Sequence, residues 1–365
     1  MLVVLLTCFG VAALTGYLTS GSPSRAGGLH NVALAQVRAH HQKQVKRSTR
    51  PQNPVKATRP VTKPQSSTAT VGHRRPSATP GDKVAVVGSG KHLTASALKP
   101  GAAASFASFQ RTQPGAIGIA VQPVGGGQEI TLGDNVPAHG WSTTKPLVLA
   151  ALMKDTDATG GLSAEEKADA TTAITVSDNQ SVIDLFDDLA GRRGGALGAA
   201  QAMDSLLRDS DDAQTVVATS TAIPAGASTT FGQTLWAPSE AAKFYAALAG
   251  RCLLGAADTS YILGLMERIE PSESWGLGDA GFRSVAFKGG WGPEDGNFNL
   301  YLVRQAGVIA PGTPEAVAVS IVAHPPDSSQ SFTTGTEMVT AAARWLADQL
   351  TNDSFGSGCG VARTG

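Results

Sequence analysis

The sequence predicts a mixed α/β fold of the α+β type, in which a five-stranded antiparallel sheet is flanked by helices and joined to an all-helical lobe. Two observations predict it. A pair of short strands follows the first helix of the folded part, and three more strands come near the end of the chain. Most of the hundred or so residues between them have helical patterning, and a last helix closes the chain. Because consecutive strands pair readily in antiparallel fashion, the helical insert is left to form its own lobe.

The first half of this pattern is bounded by clear start and stop signals. The first helix ends at Gln113-Pro114-Gly115, and a glycine-rich turn at 124–127 joins the two strands into a hairpin. Apolar residues surround the next helix from Leu147 to Met153, which is typical of a buried helix. Ser163 and Glu166 have the spacing of a capping box. The expected elements are a helix at 102–112, strands at 117–122 and 128–132, and helices at 142–154, 163–176 and 179–190.

The second half returns to strands after further helices. Apolar and β-branched runs of strand length alternate with polar turns before the last amphipathic helix. The expected elements are helices at 238–249 and 261–267, strands near 284–288, 299–304 and 316–323, and a helix at 336–350.

Charge and composition divide the chain into three parts. The 29 basic and 29 acidic residues give a net charge of zero, yet residues 21–100 hold 14 Lys and Arg against the single acid Asp82. Too little apolar surface is present there to offset the entropy of ordering, so we expect a disordered tether. The predicted parts are a signal peptide or membrane anchor at 1–20, a basic tether rich in Pro, Ser and Thr at 21–98, and a folded domain at 99–365.

The apolar segment at 1–20 has no charged residue and has a length between that of a signal-peptide core and that of a short transmembrane helix. Either interpretation places the domain outside the cytoplasm, secreted or membrane-anchored. The basic tether is expected to lie along the anionic cell envelope.

Several function classes are disfavoured. The folded part is acidic, so a specific nucleic-acid partner is not expected. His324 follows a predicted strand, and the other histidines precede Trp141, which argues against a Ser-His-Asp triad. No Cys/His cluster has metal-ligand spacing. The glycines at 125–127 do not open a helix after a parallel strand, as a dinucleotide site requires. We therefore expect no cofactor and no metal, and we expect a monomer.

Two cysteines lie in the folded part, at Cys252 and Cys359. An exported chain meets an oxidising compartment, where these two thiols can pair. Such a bridge would attach the glycine-rich tail to the domain. Two free thiols are the alternative.

One candidate for chemistry is the segment Trp141-Ser142-Thr143-Thr144-Lys145. Ser142 begins a predicted helix, and Lys145 lies three residues later on the same face, within reach of the hydroxyl. A buried lysine with a lowered pKa can take the proton of a serine nucleophile. The helix N-terminus also favours negative charge that develops on a nearby carbonyl oxygen. Taken alone, this pattern is better explained by an ordinary helix cap.

Two further segments add to it. Ser177-Asp178-Asn179 forms a turn between two predicted helices, where helix capping alone explains the residues. Lys288-Gly289-Gly290-Trp291 follows at the end of a predicted strand. In this order and in these structural settings, the three segments resemble the Ser-x-x-Lys, Ser-Asp-Asn and Lys-Thr-Gly motifs of the penicillin-recognising serine enzymes, which are the class A β-lactamases and the related D,D-peptidases. The resemblance covers roughly residues 100–352.

The resemblance implies a β-lactamase/transpeptidase-like fold and a role for each matched residue. Ser142 would be the acylated nucleophile, Lys145 its general base or proton partner, and Ser177 the proton relay to the leaving nitrogen. The residues that would bind substrate are Asn179, Lys288, Gly290 and Trp291. Lys288 would direct positive charge toward a substrate carboxylate and Ser177, and the backbone N–H groups of Ser142 and Trp291 would form the oxyanion hole.

Two departures from that family shape the expected function. Gly289 replaces the Thr or Ser whose hydroxyl would hold a substrate carboxylate, and the ring of Trp291 is expected either to cover the cleft or to replace the lost contacts by stacking. No glutamate occurs between Glu166 and Glu240, so the usual base that clears the acyl-enzyme is missing. The segment around Arg208 to Asp212 is acidic but is interpreted as a solvated turn.

The sequence therefore predicts a serine hydrolase that forms an acyl-enzyme at Ser142 with a β-lactam or a D-Ala-D-Ala-like peptidoglycan stem peptide, with slow deacylation. A catalytically impaired module of the same fold, binding peptidoglycan or a partner protein, is one alternative. An efficient class A-like β-lactamase is another.

Overall fold

The structure is a computed structural model that describes residues 96–219, 227–294, 297–326, 331–356 and 358–359. The predicted signal or anchor segment and nearly all of the predicted tether lie outside these residues. Within the described residues, no helix is both long and apolar enough to span a membrane.

Packing begins earlier than the sequence boundary at residue 99 predicts. Ala97 and Leu98 are buried, and Leu98 forms a β-bridge with Leu350 near the end of the last helix. Both side chains join the core beneath that helix. The folded unit therefore includes Ala97 and Leu98, which the sequence prediction assigns to the tether.

Eight α-helices occur in the described residues, and four short 3₁₀ helices accompany them. The α-helices, in chain order, are α1 (Ala102–Gln110), α2 (Lys145–Thr156), α3 (Ala164–Thr175), α4 (Asn179–Arg193), α5 (Ala196–Asp209), α6 (Pro238–Ala249), α7 (Ala256–Met266) and α8 (Ser331–Gln349).

Seven strands form two sheets in the same residues. The strands are β1 (Ala116–Pro123), β2 (Ile130–Gly133), β3 (Ala138–His139), β4 (Leu235–Trp236), β5 (Val285–Glu294), β6 (Asn297–Ile309) and β7 (Val317–His324). The main sheet is antiparallel throughout, with the order β2-β1-β7-β6-β5, so β5 is an edge strand. The predicted five-stranded antiparallel sheet with flanking helices and a helical lobe is confirmed.

The two faces of the sheet bury different cores. Ile117, Ile119 and Val121 alternate along β1 toward the face that α1 and α8 cover. On the opposite face, Ala306 and Val308 of β6 contact the core of the helical lobe, which includes the whole apolar surface of α2. The main sheet is thus enclosed between a helical layer and a lobe, and α2 is buried as its composition predicts.

Some elements differ from the sequence prediction. Helix α5 was not predicted, because its N-cap, Gly195, makes no side-chain hydrogen bond and leaves no start signal in the sequence. The prediction for Arg208 to Asp212 is only partly right. Helix α5 ends at Asp209 and Asp211 is exposed, but Asp212 is fully buried. Its carboxylate accepts hydrogen bonds from backbone N–H groups and from the indole of Trp236, and these contacts satisfy it away from water.

Cys252 and Cys359 form a disulfide, with Cα atoms 5.1 Å apart. The bridge attaches the C-terminal tail to the segment that follows α6.

Candidate active site

Ser142 lies in a 3₁₀ turn rather than in the first turn of an α-helix. The turn spans Trp141–Thr144, and α2 begins only at Lys145. Trp141 has a φ of 47°, which is unusual for a large residue and stores backbone strain immediately before Ser142. Thr143 Oγ1 donates to the carbonyl of Gly140 at 2.5 Å, and the hydroxyl of buried Tyr245 donates to the carbonyl of Thr143 at 2.8 Å. These contacts hold the strained turn in one conformation.

A buried arginine supports the segment before this turn. Strands β3 and β4 pair through Ala138 and Trp236 just before the chain reaches Trp141. Arg304 on β6 is fully buried, and its Nη1 donates to the carbonyls of Ala138, His139 and Trp236 at 3.1–3.2 Å. Burial lowers the pKa of Arg304 to about 10, so it stays charged at neutral pH.

The amine of Lys145 is buried against the Ser-Asp-Asn turn. Only 1% of Lys145 is exposed. Its Nζ lies 2.6 Å from the carbonyl oxygen of Ser177, 3.3 Å from Ser177 Oγ, 3.1 Å from the carbonyl oxygen of Asp178 and 2.9 Å from Asn179 Oδ1. The first and second predicted motifs therefore meet at this amine. The expected contact between Lys145 and Ser142 is not a hydrogen bond in the described residues.

The environment of Lys145 favours its neutral form. Burial lowers its pKa well below the ordinary value, and the nearby charge of Lys288 lowers it further. The carboxylates of Glu273 and Asp178 act in the opposite direction, but with smaller effect. A neutral amine beside a serine hydroxyl can accept its proton, which is the chemistry that the sequence predicts for this pair.

The Ser-Asp-Asn turn is built by capping and strain together. Asp178 caps α4 by accepting a hydrogen bond from the backbone N–H of Ser181 at 2.8 Å. Ser177 has a φ of 58°, a second strained residue that is not glycine. This conformation directs both the carbonyl and the hydroxyl of Ser177 toward Lys145.

Strand β5 approaches the serine turn closely because it carries glycines on one face. A Cβ on Gly290 would lie 2.8 Å from the backbone nitrogen of Ser142 and 3.0 Å from that of Thr143. A Cβ on Gly292 would overlap the ring of Trp141. The sequence prediction ended this strand near Lys288, whereas β5 continues to Glu294. The glycines do not terminate it; they make room for the turn.

Lys288 binds an acid that the sequence analysis did not identify. The ammonium of Lys288 is fully buried and lies 3.2 Å from Glu273 Oε2 and 3.1 Å from the carbonyl oxygen of Gly289. Glu273 ends a 3₁₀ helix at Pro271–Glu273, before β5. Lys288 shares a face of β5 with Gly290, and its charge is close enough to Lys145 to lower the pKa of that amine. In the described residues no hydrogen bond joins Lys288 to Ser177, so the predicted role of Lys288 toward Ser177 stays a prediction. The ammonium is held by Glu273, since a buried charge requires a partner.

The rings of Trp275 and Trp291 lie beside Gly289 rather than over Ser142. A Cβ on Gly289 would lie 3.0 Å from the ring of Trp275. Trp291 packs against Trp275 and Phe332, with ring centroids 6.1 Å and 5.0 Å away. Side chains alternate along a strand, and Gly290 faces Ser142, so the ring of Trp291 lies on the opposite face of β5. The ring therefore does not lie over Ser142, and the alternative, that it replaces lost substrate contacts by stacking, stays a prediction.

The structure thus unites Lys145, Ser177 and Asn179 and places Gly290 against Ser142. Glu273, Trp275, Tyr245 and Arg304 were missed, because no motif marks them and only the folded chain brings them to the site. A charged residue and a tryptophan shortly before the Lys288 strand were the available signals, but sequence alone could not show which way they point.

No acidic side chain within the described ranges hydrogen-bonds to Ser142 or to Lys145. Glu166 caps α3 and pairs with Arg192 at 3.0 Å, and Glu240 pairs with Lys243 at 3.0 Å. The same ranges contain no cluster of His, Cys, Asp or Glu suited to a metal ion.

Comparisons with known proteins agree with this architecture. No protein-family model matches the chain, and no curated protein matches it significantly. Solved structures do match. The chromosome-encoded β-lactamase of Vibrio parahaemolyticus is 15% identical with a TM-score of 0.53, and the match covers 68% of this chain and 98% of that chain.

Two others match to a similar extent. An ancestral class A β-lactamase is 16% identical with a TM-score of 0.53, covering 68% of this chain and 99% of that chain. A β-lactamase from Streptosporangium roseum is 15% identical with a TM-score of 0.52, covering 67% and 98%. The chain therefore has the β-lactamase fold, the fold of class A β-lactamases among others.

Proposed function

We propose that the protein is a serine hydrolase that forms an acyl-enzyme at Ser142. The observation that carries the proposal is the buried amine of Lys145, which the Ser-Asp-Asn turn holds next to a strained serine turn. Burial and Lys288 both lower the pKa of Lys145, so the amine can serve as a base. The fold shared with β-lactamases supports the same chemistry by analogy.

In the proposed reaction, neutral Lys145 takes the proton of the Ser142 hydroxyl as the oxygen attacks a substrate carbonyl carbon. The backbone N–H groups of Ser142 and Trp291 stabilise the oxyanion that forms. Ser177, which contacts Lys145 through its hydroxyl, passes the proton to the leaving nitrogen. The nitrogen departs as an amine, and the acyl group remains on Ser142 as an ester.

Hydrolysis of that ester is proposed to be slow. A water molecule needs a base to attack an ester efficiently, and two acids that follow Ser142 in the helical lobe are engaged in other contacts. Glu166 caps a helix and pairs with Arg192, and Asp212 is buried against Trp236. The substrates proposed are β-lactams and D-Ala-D-Ala-like cell-wall peptides, in keeping with an exported, envelope-associated protein.

A binding module without catalysis is the second candidate function. It is favoured by Gly289, which supplies no hydroxyl, and by the ion pair between Lys288 and Glu273. Such a module would dock peptidoglycan or a partner protein in the same cleft. An efficient β-lactamase would require a base for the deacylating water, and in the described residues no carboxylate hydrogen-bonds to Ser142 or to Lys145.

Labelling with acyl donors separates these functions. The full chain and its Ser142→Ala variant are incubated with a fluorescent penicillin and, separately, with a neutral p-nitrophenyl ester. Stoichiometric labelling or a one-equivalent burst of p-nitrophenol that requires Ser142 supports the hydrolase. Absence of Ser142-dependent acylation with both donors supports the binding module, and rapid steady-state turnover of a β-lactam supports the β-lactamase.

A further inference from the structure

The amine of Lys145 and the ammonium of Lys288 are both buried, and they lie close enough for the charge of Lys288 to lower the pKa of Lys145. Lys145 is surrounded by carbonyl, hydroxyl and amide oxygens of the Ser-Asp-Asn turn, none of them carboxylate. Lys288 has a full counter-charge in Glu273. The pair Lys288–Glu273 therefore has no net charge, and the electrostatic character of this end of the cleft depends on which member of the pair faces outward.

The carboxylate is the outward member. The side chain of Lys288 is 0% exposed, whereas that of Glu273 is 12% exposed. A ligand that enters from solvent meets the acid before it meets the ammonium. A second negative charge placed there would lie next to Glu273 and would have to displace it from Lys288, since unlike charges attract and like charges repel at this range.

The side chain at position 289 supplies no hydrogen-bond donor for an anion. Gly289 has no hydroxyl, and the ring of Trp275 lies 3.0 Å from where a Cβ would be. A Thr or Ser there would have to move that ring, which packs against Trp291 and Phe332. A free ammonium and a hydroxyl would each bind a carboxylate. Here the ammonium is paired with an acid, and a tryptophan ring lies close to where the hydroxyl would be.

The backbone fixes Glu273 in this position. Glu270 N donates to the carbonyl of Thr175 at 2.9 Å, which ties the loop to the end of α3, just before the Ser-Asp-Asn turn. Glu273 N donates to the carbonyl of Glu270 at 2.9 Å and closes the 3₁₀ helix. Further along, Leu277 N donates to buried Gln305 at 2.7 Å. The carboxylate is therefore anchored on both sides.

We infer that Glu273 sets the charge selectivity of the cleft, so that it favours acyl donors whose group near Lys288 is neutral or cationic, such as a carboxamide, over donors with a carboxylate there. This inference rests on the proposed function, because it takes Ser142 as the reacting residue. Among the proposed β-lactam and D-Ala-D-Ala-like donors, it predicts that those whose carboxylate is amidated are bound in preference to the free acids.

Binding to a Ser142→Ala background tests the inference without requiring acylation. The probes are N-benzoylglycine, which carries a carboxylate, and N-benzoylglycinamide, its neutral carboxamide, with dissociation constants measured by titration calorimetry on the full chain. The expected result is binding of the amide about tenfold or more tighter than the acid. Equal affinities, preference for the acid, or binding of neither probe would overturn it.

A second comparison assigns the preference to Glu273. Adding Glu273→Gln to the same background is expected to abolish or reverse the preference. Adding Glu270→Gln, an exposed glutamate on the same loop, is expected to leave it unchanged. A preference that survives Glu273→Gln in a folded variant, or that Glu270→Gln removes equally, contradicts the assignment. If Glu273→Gln does not fold, the two dissociation constants in the Ser142→Ala chain still decide the inference.

A separate acylation measurement tests the proposed function. The unmutated chain is incubated with two p-nitrophenyl esters that differ only in carrying a carboxylate or a carboxamide. The release of p-nitrophenol measures the acylation of Ser142 by each. Absence of acylation together with an amide preference in binding rejects the hydrolase and keeps the charge selectivity. Acylation with a preference for the carboxylate donor keeps the hydrolase and rejects the selectivity.

Discussion

Glu240 is predicted to make the folded state less stable as pH rises through neutrality. Its side chain is buried beside the carboxyl of Asp212, and Oε1 pairs with Lys243 while Oε2 receives no hydrogen bond. Asp212 already accepts hydrogen bonds through both oxygens. Two facing carboxyl groups are stable only if one holds a proton, and burial together with Asp212 raises the pKa of Glu240 from 4.5 to about 7.

The direction in which the free energy of unfolding changes with pH follows from the protons bound by the folded and unfolded chains. Between pH 4.5 and about 7 the folded chain holds a proton on Glu240 that the unfolded chain has released, so the free energy of unfolding falls as pH rises. The difference between the two pKa values corresponds to about 3 kcal/mol over the full range. About 2 to 3 kcal/mol of it is lost between pH 5 and pH 8.

The assay is urea unfolding of the wild type and of Glu240→Gln at several pH values. Glutamine can donate to Asp212 as protonated Glu240 does, so the variant should lack this loss of stability at high pH. The exposed Glu315→Gln serves as a matched control and should follow the wild type. A wild-type and Glu240→Gln difference that stays constant from pH 5 to pH 8 would refute the reasoning.

Three further outcomes are expected. Acylation by a neutral ester requires unprotonated Lys145, so the acylation rate should rise with pH and level off well below pH 10.5. Lys288→Met removes a nearby positive charge and should move the midpoint of this rise to higher pH, as stopped-flow kinetics would show. Gly290→Ala should reduce the acylation rate about tenfold or more, because its Cβ would push against the Ser142 backbone nitrogen. Reduction of the Cys252–Cys359 bridge should lower the free energy of unfolding by up to about 4–5 kcal/mol in denaturant titrations.

Controls make these outcomes specific. Gly264→Ala places a Cβ in open space within α7 and should leave acylation unchanged, so an equal loss in both glycine variants would remove the argument from close approach. A midpoint that Lys288→Met leaves in place would mean that the charge of Lys288 does not act on the group that controls the rate. A reduced chain as stable as the oxidised one would show that the bridge constrains nothing.

The fold was predictable because its periodicities are local. The apolar surface of α2 and the alternation along β1 appear in a few residues of sequence, and the order of these elements followed from them. Helix α5 escaped prediction because its N-cap is a glycine, which leaves no start signal, although its apolar residues are periodic. Strand β5 was cut short for a related reason, since Gly289 and Gly290 resemble a strand end until the serine turn is seen to fill the space beside them.

The candidate site was predictable only where motifs mark it. Ser142, Lys145, Ser177 and Asn179 belong to short segments whose spacing indicates chemistry, and the last three do meet in the structure. Glu273 belongs to no motif. Its contact with Lys288 depends on how a 15-residue connection folds back, and nothing in the local pattern determines that.

The most direct test of the central claim is the mass of the chain after exposure to acyl donors. The full chain is incubated with a fluorescent penicillin or a neutral p-nitrophenyl ester, digested, and mapped by mass spectrometry. We expect one acyl group per chain on the peptide that contains Ser142. The adduct should be absent in Ser142→Ala and strongly reduced in Lys145→Met. An adduct on another residue in both the wild type and Ser142→Ala, or no adduct with either donor, would contradict it.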